Sequence, residues 1–154
     1  MKEKIKIKTK LEEIYDETVW LDLQINAKLE EITYWRDLAS KTEAVLGTVG
    51  GRNKSRNKSK VENCVCKIIE IEESVKEDTE KIIKLKSKIM EMIEKAGTSE
   101  YMSLLIHRYI CGKTWEEVAA AIGYSYVHTV NRLRPKALAK LHEIETGTGT
   151  GDKK

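Results

Sequence analysis

Residues 61–96 read VENCVCKIIEIEESVKEDTEKIIKLKSKIMEMIEKA, and apolar side chains recur through them at alternating steps of three and four. Such a two-position repeat, with β-branched residues frequent at one position, is typical of a helix that packs along a narrow apolar seam. The pattern therefore predicts one long helix over this stretch. The first position holds Val61, Ile68, Val75, Ile82, Ile89 and Ala96, and the second holds Cys64, Ile71, Asp78, Leu85 and Met92.

A second, less regular stripe of the same kind lies upstream, over residues 11–39. It is interrupted at two positions, Thr18 and Lys28. Between the two stripes lies GTVGGRNKSRNKSK at 47–60, which is rich in residues that favour loops. The sequence therefore predicts a long antiparallel helical hairpin, with pairing of both helices across a dimer as the alternative. The upstream stripe consists of Leu11, Ile14, Leu21, Ile25, Ile32, Trp35 and Ala39.

Polar residues on the two seams predict the register of the hairpin. In a symmetric hairpin, Lys28 and Asp78 fall within about one helical turn of each other, both on the seam. A charged pair at such a position can select one alignment of two helices over others. We expect these two side chains to form a partly buried pair.

Composition supports an all-α protein without membrane-spanning segments. Of the 154 residues, 34% are charged and 6% are aromatic, a balance that favours helices with thin seams over a thick core. No apolar run approaches the roughly 20 residues that a transmembrane helix needs, and no secretory signal is recognisable at the N-terminus. Three cysteines without framework spacing predict reduced thiols and a cytoplasmic location.

Positive charge is concentrated in particular segments. Residues 1–10 hold five lysines against one glutamate, and residues 47–60 hold five cations and no acid. Such segments attract phosphate backbones regardless of base sequence, although they are equally compatible with flexible charged segments that keep a protein in solution. The predicted auxiliary phosphate contacts are Arg52, Lys54, Arg56 and Lys58.

The segment at 112–141, GKTWEEVAAAIGYSYVHTVNRLRPKALAKL, has the layout of a helix-turn-helix motif. Thr114 and Glu117 have the spacing of a capping box, so a helix is predicted to begin at Trp115. Gly123 supplies a turn, and Ser125 is a suitable N-cap for the next helix. The second helix of such a motif lies in the DNA major groove.

The second helix combines a predicted buried stripe with a basic outer face. Arginine pairs with guanine, asparagine with adenine, and a threonine methyl group contacts the thymine methyl group, whereas lysines farther along contact phosphate. The alternative is a solvated basic face on a small domain that docks protein. The predicted buried stripe is Val130, Leu133, Ala137, Leu138 and Leu141. The predicted DNA contacts are Ser125, Tyr126, His128, Thr129, Asn131, Arg132, Arg134, Lys136 and Lys140.

The same residues carry a resemblance to a known family. The run from Arg108 to Ala119, RYICGKTWEEVA, followed by Ile122-Gly-Tyr-Ser and by Arg-Leu before Lys136-Ala-Leu, resembles sigma-factor region 4. It resembles more closely the phage-encoded, region 4-like late transcription regulators of the ArpU type. Residues 21–32, LDLQINAKLEEI, and 67–75, KIIEIEESV, are similar to the long helices of that group. The resemblance implies DNA binding by the second helix of the motif and contact with host RNA polymerase.

Two features of the second helix depart from that family. Ser125 precedes Val130 by five residues, one more than in region 4 proteins, an insertion that can rotate the face presented to DNA. Pro135 removes a backbone donor and disfavours helical geometry at Arg134. We expect a kink near residues 131–135, or a new helix that begins at Pro135.

The sequence thus predicts a DNA-binding regulator with four segments. These are a basic N-terminal segment at 1–10, the hairpin at 11–96, a region 4-like helix-turn-helix domain at 97–145 and a flexible tail at 146–154. We expect a homodimer in the host cytoplasm that is not an enzyme and takes no cofactor. His107 and Cys111 have the spacing of a metal pair, but no second pair completes a site. The alternative function is an adaptor that uses the hairpin to engage RNA polymerase or another large host protein.

Overall fold

A computed structural model describes residues 9–46 and 52–146, which are helical and contain no β-strand. Most of the basic segment at 1–10, the glycine-rich part of the interhelical connection and nearly all of the tail lie outside the described residues. Two long helices pack against each other and shorter ones follow, so the predicted all-α class is confirmed. The helices are α1 (Lys10–Leu46), α2 (Arg52–Glu94), α3 (Ser99–Leu105), α4 (Trp115–Ile122), α5 (Tyr126–His128) and α6 (Arg134–Thr146). Two π-helical segments, Ile106–Ile110 and Thr129–Leu133, continue α3 and α5.

The chain divides into two compact units, and both long helices contribute to each of them. The hairpin unit comprises residues 19–46 and 52–82. The head unit comprises residues 9–18 and 83–146. Throughout the described ranges, no helix is both long enough and apolar enough to cross a membrane.

In the hairpin unit, α1 and α2 run antiparallel along the predicted seam. Lys28 contacts Asp78 and Arg36 contacts Glu72 at 3.5 Å, so residue numbers rise on α1 as they fall on α2. Ile32 and Cys64 are buried, and the other apolar seam residues of this unit are half-buried. The three-four periodicity therefore identified the contact face of both helices.

The register-setting pair is confirmed. Lys28 Nζ lies 2.5 Å from a carboxylate oxygen of Asp78 and also donates to Ser74 Oγ at 2.7 Å. The Asp78 side chain is 8% exposed and the Lys28 side chain 28% exposed. The carboxylate is thus almost enclosed, whereas the lysine retains a route to solvent.

The predicted loop at 47–60 is wrong over its second half. Helix α2 begins at Arg52, so the tandem Arg-Asn-Lys-Ser repeat is helical, while residues 47–51 lie outside the described part of the chain. The repeat contains no glycine or proline, and arginine and lysine are good helix formers. Helix α1 likewise extends beyond the predicted stripe, to Leu46.

The head unit has a core to which the beginning of α1 and the end of α2 contribute. Thr18, a polar residue on the seam, is buried because its hydroxyl donates to the Tyr15 carbonyl at 2.6 Å. Gly97 adopts a left-handed conformation after α2, and Thr98 caps α3 by accepting from the Tyr101 amide. The fully buried aliphatic residues of the core include Leu11, Ile89, Ile93, Leu104, Leu105, Val118 and Leu141.

A further cap fixes the start of α1. The Thr9 hydroxyl accepts from the Glu12 amide at 3.2 Å, and the Glu12 carboxylate accepts from the Thr9 amide at 3.3 Å. This reciprocal pair is a capping box. The signal, a threonine followed three residues later by a glutamate, is present in the sequence but was not used to place the helix start.

Candidate nucleic-acid interface

Helix α4 begins and ends at the predicted residues. The Thr114 hydroxyl accepts from the Glu117 amide at 3.2 Å and the Glu117 carboxylate accepts from the Thr114 amide at 2.9 Å, so the capping box is confirmed. Val118 and Ala119 are buried. Gly123 ends the helix with φ of 84°, a left-handed conformation that residues with a Cβ rarely adopt. The turn that follows α4 is therefore tight and well determined by sequence.

Ser125 starts the next helical run, as predicted. Its hydroxyl accepts from the His128 amide at 3.1 Å, which satisfies one of the free donors of the first turn. The run then passes from α5 through the π-helical segment at Thr129–Leu133 into α6, where the Arg134 amide donates to the Thr129 carbonyl. The expectation that Pro135 disfavours helical geometry at Arg134 is wrong, because Arg134 has φ of −56° and ψ of −52° and the helical run continues through Pro135. The irregularity of the run is instead one widened turn at Thr129–Leu133.

The widened turn lies within the helical run that begins at Tyr126, at Thr129–Leu133. A π turn closes over one residue more than an α turn, so it accommodates a single inserted residue without breaking the helix. Within this turn Leu133 is buried and Val130 half-buried, and beyond it Ala137 and Leu141 are buried and Leu138 is half-buried. The predicted apolar stripe is thus continuous from the widened turn into α6.

The structure separates the predicted contact residues into three groups. His128 and Arg134 are half-buried and Thr129 is buried. The remaining predicted contacts are exposed, and they follow the outer side of one helical run. They are Ser125, Tyr126, Asn131, Arg132, Lys136 and Lys140.

Thr129 is wrongly assigned as an outward residue. It is 0% exposed, and its hydroxyl donates to the Ser125 carbonyl at 2.8 Å. A threonine whose hydroxyl is satisfied by the preceding turn can face an apolar core at little cost. Its methyl group is therefore not available to a base.

Arg134 takes part in a cluster within the head unit. Its guanidinium lies 5.0 Å from the centre of the Trp115 ring and 3.9 Å from the Glu12 carboxylate. Arg108 also lies over the Trp115 ring, at 5.0 Å, and over Tyr15, at 5.5 Å. Cation–π contacts of this kind connect the start of α4 to the start of α6. Arg134 thus has intramolecular partners that outward-facing Arg132 lacks among the contacts described.

His128 and Tyr124 form a contact beside the turn. Their ring centres are 4.8 Å apart, and the Tyr124 hydroxyl donates to the Glu100 carboxylate at 2.5 Å. This hydrogen bond raises the pKa of the Tyr124 phenol above its usual value. The contact holds the turn against the N-terminal part of α3, so both aromatic rings have a structural role.

Val127 is an outward residue that the sequence prediction omitted. It is 64% exposed, next to Tyr126, which is 47% exposed. The sequence indicates that Val127 faces outward, because it lies outside the stripe formed by Val130, Leu133 and Ala137. It was missed because valine is more often a core residue than a surface one.

The outer side of this run is positive. Arg132, Lys136 and Lys140 are exposed, and residues 125–142 contain no acidic side chain. In the hairpin unit, Lys54, Arg56 and Lys58 are exposed on helical backbone rather than on a loop, and the side chain of Arg52 lies outside the described part. Both surfaces can attract phosphate groups.

The described residues offer no arrangement suited to a metal ion. His107 Nδ1 lies 3.0 Å from Lys113 Nζ, and the described ranges contain no group of three or more His, Cys, Asp or Glu side chains that could hold a metal. The side chains on the outer face are hydrogen-bonding, cationic and apolar groups, which are suited to binding.

Comparisons with protein-family models, with curated proteins and with solved structures found no match for this chain.

Proposed function

We propose that this chain is a sequence-specific transcription regulator of phage or prophage type that binds double-stranded DNA. In this proposal α4, the turn at Gly123 and the helical run from Tyr126 act as a helix-turn-helix motif, with that run in the major groove. The observation that carries the proposal is a capped helical run behind a tight glycine turn, with exposed cationic side chains and no acidic residue between positions 125 and 142.

Individual contacts follow from the chemistry of the exposed residues. Asn131 can form two hydrogen bonds with adenine and Arg132 two with guanine. Lys136 and Lys140 lie farther along the helix, where contacts to phosphate are expected. Arg134 is not assigned a base contact, because Trp115 and Glu12 already engage it.

We further propose that the protein acts as a homodimer in the host cytoplasm. A single small reading domain buries less surface than the roughly 1,000 Å² or more of most specific complexes. Two copies joined through their hairpin units would present two motifs to half-sites about 34 Å apart, or a multiple of that distance. Lys54, Arg56 and Lys58 would add phosphate contacts.

Selection of bound duplexes from a random pool, followed by affinity measurements over a range of salt concentrations, tests the proposal. We expect Arg132→Ala to weaken binding by about 1–3 kcal/mol and to relax the preference at one base pair. Lys136→Ala should reduce the slope of log affinity against log salt by about 0.9. The control is Lys88→Ala, which removes an exposed lysine from α2 in the head unit and should leave both quantities unchanged.

Failure of the wild-type protein to retain any duplex at physiological salt would overturn the proposal. Equal effects of Lys88→Ala and Lys136→Ala would also contradict it, since they would show general charge attraction instead of a defined face.

A second candidate function is favoured by the apolar surface of the hairpin unit. Trp20, at 67% exposed, is accompanied by Leu23, Tyr34 and Ile69, all of which are exposed. Exposed aromatic and aliphatic groups in such number are typical of protein-binding surfaces. The protein would then be an adaptor that engages host RNA polymerase, with DNA contact secondary.

An open groove of about 280 Å³ in the same unit is lined by Leu29, Ile32, Thr33, Arg36, Glu72 and Val75.

Binding to purified bacterial RNA polymerase distinguishes the two functions. The adaptor function predicts that Trp20→Ala combined with Tyr34→Ala abolishes this binding, whereas Arg132→Ala leaves it unchanged. The DNA-binding function predicts that Arg132→Ala weakens the retention of duplex DNA, whereas Trp20→Ala combined with Tyr34→Ala leaves it unchanged.

A further inference from the structure

We infer that Val127 is the centre of a thymine-methyl-binding site on the outer face of the helical run. The inference rests on the proposed DNA-binding function and makes it more specific. It names the base feature that the first turn of the run recognises, the C5-methyl group that thymine exposes in the major groove.

Burial shows that Val127 serves no core. It is the most exposed of the large apolar side chains described in the head unit, at 64%. The neighbouring positions of the same run that supply the core, Thr129 and Leu133, are buried. Valine also has lower helix propensity than alanine, lysine or glutamate. Neither packing nor local helix stability accounts for a valine at this position.

Two exposed tyrosines lie close to Val127 in the sequence. The Tyr126 ring is exposed beside it, and the Tyr124 ring is exposed at the preceding turn. Tyr124 is held by its hydrogen bond to Glu100 and contacts the ring of His128, the residue that follows Val127, so the first turn of the run is anchored to α3. An apolar group in a fixed position can contact a methyl group without ordering a mobile segment.

Asn131 extends the site toward an adenine. It is exposed and follows Val127 by four residues, so both side chains lie on similar sides of the helix. Four residues span about 6 Å along an α-helix axis, and less where the turn is widened, as it is at Asn131. This length is close to two base-pair steps of about 3.4 Å each. The pair of side chains therefore fits a thymine and an adenine within two steps of each other.

Charge favours DNA over a protein as the occupant of this surface. The run from Ser125 to His142 contains no acid, and the exposed Arg132 and Lys136 follow the apolar group on the same run. In the major groove, base edges lie between two phosphate backbones, so an apolar side chain can face a base while neighbouring cationic side chains face phosphates. A protein partner would have to supply matching acidic groups around an apolar side chain.

The experiment uses a duplex selected by the full-length protein, in which each thymine is replaced in turn by deoxyuridine. Deoxyuridine keeps every hydrogen-bonding group of thymine and lacks only the methyl group. For the wild-type protein we expect affinity to fall about fourfold at one or two positions, the factor that corresponds to removing one buried methyl group. Val127→Ala should bind the thymine and deoxyuridine duplexes equally at those positions.

Val65→Ala is the matched control, because Val65 is also an exposed valine on a helix but lies in the hairpin unit. It should keep the fourfold discrimination. Helical circular dichroism and the Tm of each variant establish that it is folded.

The outcomes separate this inference from the function on which it rests. If duplexes are bound but no deoxyuridine replacement changes affinity, the inference is wrong and DNA binding stands. If discrimination persists in Val127→Ala, another residue contacts the methyl group and the assignment is wrong. If no duplex is retained at all, the DNA-binding function itself fails.

Discussion

Removal of the Lys28 charge should destabilise the hairpin unit more than removal of the Asp78 charge. The two side chains meet at 2.5 Å, but only 8% of the Asp78 side chain is exposed against 28% of the Lys28 side chain. Lys28→Met keeps the aliphatic stem and leaves the enclosed carboxylate without its cation. Asp78→Ala leaves Lys28 with solvent access and with its bond to Ser74 Oγ at 2.7 Å. The two single variants therefore differ although they remove the same pair.

The magnitudes follow from the cost of leaving a buried charge unpaired. Breaking a fully buried pair costs about 3–5 kcal/mol. We expect about 3 kcal/mol for Lys28→Met, because some water reaches the site from the lysine side. For Asp78→Ala we expect about 1 kcal/mol, the net value of one hydrogen bond. Replacing both by leucine should restore stability to within about 1 kcal/mol of wild type or exceed it, because no charge remains to be desolvated.

Urea denaturation followed by circular dichroism at 222 nm measures these differences as shifts of the midpoint at constant slope. A variant that combines Lys28→Met with Asp78→Ala closes a mutant cycle and gives the coupling between the two side chains. Arg36→Ala, which removes an exposed pair with Glu72 in the same unit, is the control and should change stability by less than about 1 kcal/mol. Equal losses for the two single variants, or a double variant whose loss equals their sum, would refute the reasoning.

Two further predictions concern the head unit. Trp115→Ala removes the ring beneath Arg108 and Arg134 and should lower the free energy of unfolding, measured by urea denaturation, by about 3 kcal/mol. Trp115→Phe keeps an aromatic ring and should lower it by about 1 kcal/mol. A loss below about 1 kcal/mol for the alanine variant would contradict the packing role. Burial raises the pKa of the Tyr109 phenol above its usual value of 10.0, so its contribution to stability is complete below that pH and is lost as pH rises through the native value. Tyr109→Phe should therefore raise the pH midpoint of alkaline unfolding, measured by circular dichroism, and an unchanged midpoint would show that another group is responsible.

Local sequence signals predicted the helices and their ends well. The alternation of three and four placed the seam of both long helices, and the Thr114–Glu117 box, Gly123 and Ser125 placed α4 and the start of the next run. These features depend on residues within one or two turns of each other, so they are encoded in short stretches. The loop predicted over 47–60 is wrong over 52–60, where the chain is helical. The composition of this stretch is typical of loops, but residues 52–60 contain no glycine or proline to interrupt a helix.

The orientation of individual side chains on the outer helix was less predictable. Thr129 and Arg134 have the same chemistry in the sequence as residues that contact bases, yet one is buried and the other lies over Trp115. Val127 has the chemistry of a core residue and is exposed. The π-helical turn at Thr129–Leu133 shifts each side chain around it by a part of a turn.

The sequence by itself determined that this protein is built of helices, which residues form the seam of the two long ones, and where α4 and the run after it begin. The pairing of Lys28 with Asp78 depends on the antiparallel packing of α1 and α2, to which the sequence left a dimer as the alternative. Only the tertiary structure decided which face of the Tyr126–Thr146 run is free to bind. The exposed face depends on Glu12 and Trp115, which lie on other helices and both contact Arg134. It also depends on the widened turn at Thr129–Leu133. Short-range periodicity fixes which residues can share a face, but packing against distant residues determines which of them reach solvent.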